Sequence, residues 1–207
     1  LTIVREAGHE IEIATIDSAY LTKPELHAQL PGISAVMASS EKYSRETFEQ
    51  FPQLQVISRL GVGFDAIDLE AARDHEIPVM ITAGTNDTTV AESTVALMLA
   101  LARELGTYFK QASTGDWTRP ATTELCNKTV GLLGLGRVGR SVVRRLNGFE
   151  VNFVASEPFP DLEFAESFNV DLVEPHDVFR RADFLSLHTP LTEDTQSIVN
   201  EDSLRLM

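Results

Sequence analysis

The sequence predicts an α/β protein built on parallel sheets with helical crossovers. Three observations predict it. Short apolar runs of strand length alternate with segments of helical period along the chain. Turn and capping residues separate them at the spacing of strand–helix–strand units. A glycine-rich turn joins one apolar run directly to an amphipathic segment.

Taken in order, Leu1–Gly8 reads as the end of a helix already under way. Strands are expected at Glu10–Thr15, Ser34–Ser39, Leu54–Arg59 and Pro78–Thr82. Between them, Thr22 with Glu25 forms a capping box, and the helix it opens is stopped by Pro31 and Gly32. Ser44–Gln50 is a second helix, and Asp68 caps a third through Leu69, Ala71 and Ala72. Val90–Leu105 is the longest helical pattern. It is rich in Ala, Leu and Met and poor in charge, so it is expected to be buried on most sides and suits a domain or subunit interface. A polar connector follows over Gln111–Lys128, with Trp117 as its expected packing anchor. The second alternating run has strands at Thr129–Leu133, Val151–Ala155, Val170–Val173 and Phe184–Leu187. Its helices are Arg137–Leu146, a weak one over Asp161–Phe168, Pro175–Arg181, and one capped by Asn200 that the chain end cuts at Met207.

Composition narrows the classes of function. At 207 residues and 43% hydrophobic, the chain can bury the core of one large or two small domains. Its net charge of −14 repels phosphate backbones and anionic lipid, so neither nucleic acid nor membrane is expected as a partner. No apolar run reaches the roughly 18 residues of a membrane helix, and no signal-peptide pattern opens the chain. The single cysteine, Cys126, allows no internal disulfide and fits a reducing cytoplasm; it reads as an idle thiol. No metal-ligand spacing, nucleophile elbow or P-loop occurs. His9, His27, His75 and His176 read as surface residues.

The sharpest signal is the run Gly131–Gly139. Within it, Gly134-x-Gly136-x-x-Gly139 is the dinucleotide fingerprint, with an apolar strand before it and a helix carrying Val138, Val142, Val143 and Leu146 after it. Gly134 permits the tight turn, Gly136 removes a side chain so that backbone N–H groups approach a pyrophosphate, and Gly139 lets helix and strand pack closely. The helix N-terminus aims free N–H groups and its positive dipole end at the same anion. Glu157 follows Gly136 by 21 residues, at the end of the next strand. A carboxylate there accepts hydrogen bonds from a ribose 2′-OH and repels a 2′-phosphate, which favours NAD over NADP. The plain alternatives are a glycine turn without a ligand and an unrelated surface acid. Arg137 can reach a phosphate; Arg140 reads as solvated.

Two further strand ends attract attention, because ligands of open α/β sheets bind beyond the carboxyl ends of strands. Arg59-Leu-Gly61-Val62-Gly63-Phe-Asp65 offers backbone N–H groups and a guanidinium to a carboxylate; the alternative is an ordinary strand-to-helix turn. His188-Thr189-Pro190 ends the last strand, where Thr189 could line a cofactor and His188 reads as structural rather than as a base.

These segments carry a resemblance. Gly61-Val-Gly63-Phe-Asp65 with Ile67-Asp68, Val90-Ala-Glu92 through Arg103, Gly131–Gly139 and His188-Thr189-Pro190-Leu191-Thr192 occur in the order found in D-2-hydroxyacid dehydrogenases, and the chain is most similar to the D-3-phosphoglycerate dehydrogenase branch. The resemblance covers essentially the whole sequence. It implies an α/β protein of two Rossmann-like parallel-sheet domains: a substrate domain over residues 1–96 lacking its first strand, and an NAD-binding domain over 97–207 lacking its C-terminal strands. It implies hydride transfer between NAD and a D-2-hydroxy or 2-keto acid of 3-phosphoglycerate type, in a homodimer joined through the NAD domain. Carried onto matching positions, Gly61, Val62 and Gly63 hold the substrate carboxylate and Arg59 lies near its far end. Gly134, Gly136, Arg137, Val138 and Gly139 hold the pyrophosphate, Glu157 the adenine ribose, and Thr82, Thr189 and Pro190 line the cofactor cleft. A non-catalytic NAD-sensing module resembling the C-terminal-binding corepressors is the alternative, and a dehydrogenase of another small acid, such as glyoxylate or phosphite, is a third reading.

The sequence departs from the family at Ala66, where an Asn is usual, and at Glu157, where an Asp is usual and the chemistry is kept. The family's substrate-binding Arg and its His–Glu acid/base pair are expected past Met207, so no catalytic residue is assigned within this chain. Reduction of a keto acid needs a proton donor at the developing alkoxide and a cation on the carboxylate. The purified 207-residue chain is therefore expected to show no hydride transfer in a spectrophotometric assay of NADH oxidation; measurable turnover overturns this.

Overall fold

The computed structural model describes residues 2–14 and 22–207. They form two compact units, Leu1–Ala83 and Gly84–Met207. In the first, helix α1 spans Thr2–Glu6 and α2 spans Lys23–Gln29, opened by Glu25, whose carboxylate accepts from both the N–H and the hydroxyl of Thr22 at 2.7 Å. Strands β1 (Ala35–Ala38), β2 (Val56–Arg59) and β3 (Val79–Ile81) form a parallel sheet in that order, with helices α3 (Arg45–Gln50) and α4 (Leu69–Asp74) as crossovers. Asp68 caps α4 by accepting from the Ala71 N–H at 2.9 Å. Leu30, Phe48, Ile57 and Ala71 fill the core beneath this sheet.

Two expectations for this unit change. The described residues of the Glu10–Thr15 run, 10–14, form no strand, and Thr15 lies outside the described residues. Ile13 is exposed there, and an extended segment without a neighbour leaves its backbone groups unpaired. His27 and His75 are half-buried rather than surface residues. His27 Nε2 lies 3.0 Å from Thr47 Oγ1 and its ring meets Phe51 edge-on, while His75 Nδ1 lies 2.9 Å from Ala71 O beside Phe48.

The second unit opens with α5 (Asp87–Ala102) and α6 (Leu105–Thr114). The sheet follows: β4 (Thr129–Leu133), α7 (Arg137–Leu146), β5 (Asn152–Ser156), α8 (Leu162–Ser167), β6 (Val170–Leu172), α9 (Pro175–Arg181) and β7 (Phe184–Leu187), then a short α10 (Glu201–Leu204). All pairings are parallel, in the order β6-β5-β4-β7. Side-chain alternation divides the strands between two layers. Val130 and Leu132 of β4 and Phe153 and Ala155 of β5 pack with α5 and α7, while Leu133 and Val154 pack with Val178 and Phe179 of α9. Helices on both faces explain why these strands are nearly continuous apolar runs.

The expected division after residue 96 falls inside α5, and the whole of that helix belongs to the second unit. Ala91, Met98 and Ala102 join Val142 and Leu146 in one core, which ties α5 to α7. Burial on most sides is not observed: Leu97 and Leu101 are 65% and 70% exposed. Polar residues occupy the first half of the helix, and in its apolar second half Met98 and Ala102 enter this core while Leu97 and Leu101 do not. Trp117 is 93% exposed and anchors nothing, since residues 116–124 after Gly115 have no regular structure to hold it. Among the described residues no helix is long and apolar enough to cross a membrane.

At the centre of the sheet, a Cβ on Gly131 of β4 would lie 2.6 Å from Ala182 Cβ and 2.9 Å from Val178 Cγ1. Gly131→Ala is expected to cost about 1–3 kcal/mol by overpacking, read as a lower urea midpoint for this unit. The double variant Gly131→Ala/Ala182→Gly recovers part of the loss; a single variant as stable as the parent contradicts the close approach.

Candidate dinucleotide site

The strand order locates the site before any side chain is considered. From β4 the chain moves outward to β5 and β6, then crosses to β7 on the other side of β4. The reversal of direction leaves a crevice beyond the carboxyl ends of β4 and β7, where open α/β sheets bind ligands. Those ends are Leu133, followed by Gly134, and Leu187, followed by His188.

The turn between β4 and α7 is built by close backbone approaches. Gly134 has φ +99°, and a Cβ there would lie 2.7 Å from the His188 carbonyl carbon and oxygen and 3.1 Å from Thr189 Cγ2. Its N–H donates to Ser156 O at 2.9 Å, tying the turn to the end of β5. A Cβ on Gly139 would overlap Gly134 O, whereas one on Gly136 would meet nothing within 4 Å. Gly134 and Gly139 are thus required by the fold, and Gly136 faces open space. No side chain caps α7, and its first intrahelical bond is Arg140 N–H to Gly136 O at 3.0 Å. The N–H groups of Arg137, Val138 and Gly139 consequently lack intrahelical acceptors and supply an anion cradle.

Glu157 comes to the same place. Its carboxylate accepts from the Leu135 N–H at 2.9 Å and from the Phe159 N–H at 3.2 Å, so the acid at the end of β5 is held against the glycine turn. This anchor escaped the sequence reading: a backbone N–H is present at every non-proline position and carries no residue-type signal. His188 is half-buried, its Nε2 lies 3.0 Å from Ser186 Oγ, and burial lowers its pKa from the ordinary imidazole value. That environment favours a neutral ring. Cys126 shares a hydrogen bond with Glu150 at 3.4 Å, and this bond raises the thiol pKa, which suppresses thiolate character.

The remaining site candidates gather in the first unit. Gly61 has φ +149°, and its carbonyl accepts from the Thr82 N–H at 3.0 Å and the Thr82 hydroxyl at 3.3 Å. Thr82, expected beside the cofactor, is therefore bonded to the Arg59–Gly63 loop within its own unit. Arg59 donates from Nη1 to Leu60 O at 3.3 Å, while its Nε is buried without a partner among the described residues. Val62 is at the exposed side of this loop, and Asp65 Oδ1 turns in toward Gly63. No group of three or more His, Cys, Asp or Glu among the described residues could hold a metal ion.

Comparison with known proteins agrees with this geometry. A profile of the family described as "D-isomer specific 2-hydroxyacid dehydrogenase, NAD binding domain" matches residues 95–207. D-3-phosphoglycerate dehydrogenase of Methanocaldococcus jannaschii is 38% identical over 100% of this chain, which spans 39% of that protein. Hydroxypyruvate reductase of Thermotoga maritima is 34% identical over 93% of this chain and 63% of its own length. The structure of the NAD-dependent formate dehydrogenase of Staphylococcus aureus in complex with NAD superposes with a TM-score of 0.85 at 29% identity, covering 100% of this chain and 62% of that one. The chain thus spans less than two thirds of the length of the curated relatives it matches.

The glycines separate by experiment. Gly139→Ala is expected to lose about 1–3 kcal/mol of stability because its Cβ overlaps backbone. Gly136→Ala is expected to stay within about 1 kcal/mol of the parent and to weaken NAD binding at least tenfold. Equal losses of stability in the two variants contradict the division of roles.

Proposed function

We propose that this chain, which belongs to the D-isomer-specific 2-hydroxyacid dehydrogenase family, is the NAD-binding and substrate-carboxylate-binding part of an oxidoreductase that moves a hydride between NAD and a D-2-hydroxy acid. The observation that carries the reading is the pairing of the uncapped, open Gly136 turn with Glu157, whose carboxylate is fixed on the Leu135 N–H. The turn supplies donors for a pyrophosphate, and the acid stands where the adenine ribose hydroxyls arrive. Gly134, Gly136, Arg137, Val138 and Gly139 hold the phosphates, Glu157 holds the ribose, and Thr189 and Pro190 border the cofactor beside Gly134. Bound NAD supplies the hydride acceptor. A 2′-phosphate would meet the Glu157 carboxylate, so NADP is excluded by repulsion and by desolvation of an unpaired charge.

In the first unit, the Gly61–Gly63 loop offers backbone donors to the carboxylate of the acid, and the unpartnered Arg59 Nε supports an anionic ligand there. Likeness to the family assigns Thr82, which donates to the Gly61 carbonyl, to the cofactor. Likeness to D-3-phosphoglycerate dehydrogenases supports a 3-phosphoglycerate-like acid as substrate, whose phosphoryl end would suit Arg59. The protein acts in the cytoplasm as a homodimer. Leu97, Leu101 and Phe109, exposed at 65%, 70% and 72%, supply the apolar surface for the second copy.

Calorimetric titration with NAD, with NADP as control, tests the reading. NAD binds and NADP does not; Glu157→Ala weakens NAD by about tenfold or more, the loss expected for hydrogen bonds to a charged group. Tight NADP binding, or no effect of Glu157→Ala, sinks the assignment. Sedimentation equilibrium tests the dimer: Leu97→Glu/Leu101→Glu yields monomers if those side chains are the contact.

A further inference from the structure

A second cleft lies on the second unit, alongside α7 rather than at its tip. Arg137, Arg140, Ser141 and Arg144 line one wall, and Gly84, Asp87 and Thr88 line the other, around a volume of about 350 Å³. The arginines recur at i, i+3 and i+7, which places them on one helix face along about 10 Å of axis. This is a cationic row on a chain of net charge −14, and α7 contains four arginines and no acid.

Folding alone does not account for the row. Arginines three and four apart repel, and Arg137 in the first turn opposes the helix dipole. Arg140 is compensated by Asp161 at 2.5 Å and Arg145, outside the row, by Glu92 at 3.3 Å. Arg137 and Arg144 take part in no ion pair among the described residues. Arg144 rests its guanidinium over the Phe164 ring, 5.0 Å from the centroid, which fixes it without neutralising it. The opposite wall adds donors. The first turn of α5 has no side-chain cap, since the Asn86 side chain makes no capping bond, and Thr88 exposes its hydroxyl beside it. Ser141 is buried; its hydroxyl accepts from Arg145 Nη1 at 2.6 Å and keeps its own proton for donation. Asp87 is the one carboxylate of the lining, set against three guanidinium groups.

We propose that this cleft binds an oxyanion of the phosphate class, held by Arg140, Ser141 and Arg144 with Thr88 opposite, and distinct from the dinucleotide pyrophosphate. Arg140 and Arg144 lie one and two turns further along α7 than Arg137, so the anion sits beyond the glycine turn and shares only Arg137 with it. Phosphate-class chemistry fits because planar guanidinium forks and helix-terminal N–H groups both match its oxygens. The ligand is a free phosphate or the phosphoryl end of a small metabolite, and the experiment separates these from the phosphates of the dinucleotide.

Inorganic phosphate is titrated into the 207-residue chain by calorimetry, at ionic strength fixed with sodium chloride, with and without saturating NAD. Saturable binding is expected in both conditions. Arg144→Gln, at an exposed position, is expected to weaken phosphate at least tenfold and to leave the NAD affinity within twofold; Thr88→Ala weakens phosphate alone by a smaller factor. Displacement of phosphate by NAD assigns it to the glycine turn and overturns the proposal, as does phosphate binding unchanged in Arg144→Gln or no saturable binding in the millimolar range. The phosphate readout stands by itself if NAD fails to bind, so failure of the dinucleotide reading is distinguishable from failure of this one.

Discussion

The contact between the β4–α7 turn and the end of β7 constrains the rest of the second unit. Gly134 passes so near the His188 backbone that no side chain fits between them, and Gly139 lies against the Gly134 carbonyl. These approaches fix how α7 leaves the sheet, and so where its free N–H groups point. They also demand that β7 lie next to β4, which the strand order β6-β5-β4-β7 provides. The crevice, the cradle and the crossover are therefore consequences of one packing requirement. Gly136 belongs to a different class: it is unconstrained by the fold and leaves room for a ligand.

Electrostatics supplies the next layer. A chain with 31 acids against 17 lysines and arginines repels anions at long range, yet the proposed ligands are anionic. The sequence resolves this by concentrating cations and helix N-termini locally. Four arginines fall on α7, and the uncapped ends of α5 and α7 expose N–H groups. Glu157 is the exception, an acid fixed by two backbone donors beside the anion cradle, the position proposed above for contact with ribose hydroxyls.

Hydrophobic surface tells a similar story of incomplete satisfaction. On α5, Ala91, Met98 and Ala102 enter the core, but Leu97 and Leu101 face outward. Clustered exposed leucines of this kind mark an interaction surface. The exposed apolar residues of α5 and α6 add nothing to the stability of this unit and fit the homodimer proposed above.

Most of the second unit could be read from residues alone. The edges of β4, α7, α9 and β7 follow from period, capping and the glycine spacing, because those signals are local. The fingerprint and Glu157 were legible for the same reason: each depends on a residue type at a fixed offset from a strand end. Other features depended on which surfaces meet. The Glu10–Thr15 run has strand-like alternation, but a strand exists only where a neighbour takes its backbone bonds. The α5 pattern gives a helix but not which face is covered or to which unit it belongs; that was decided by the fit of Ala91 and Met98 against α7. His27 and His75 looked superficial until Phe51 and Phe48 closed on them. The cleft beside Arg140 and Arg144 has walls about 50 residues apart in sequence, so no local pattern announces it. Sequence by itself determined most of the elements, the glycine turn and the acid at the end of β5, through short-range backbone and capping chemistry. Only the tertiary structure decided the partners of those elements, since burial and charge compensation are properties of surfaces brought together from distant parts of the chain.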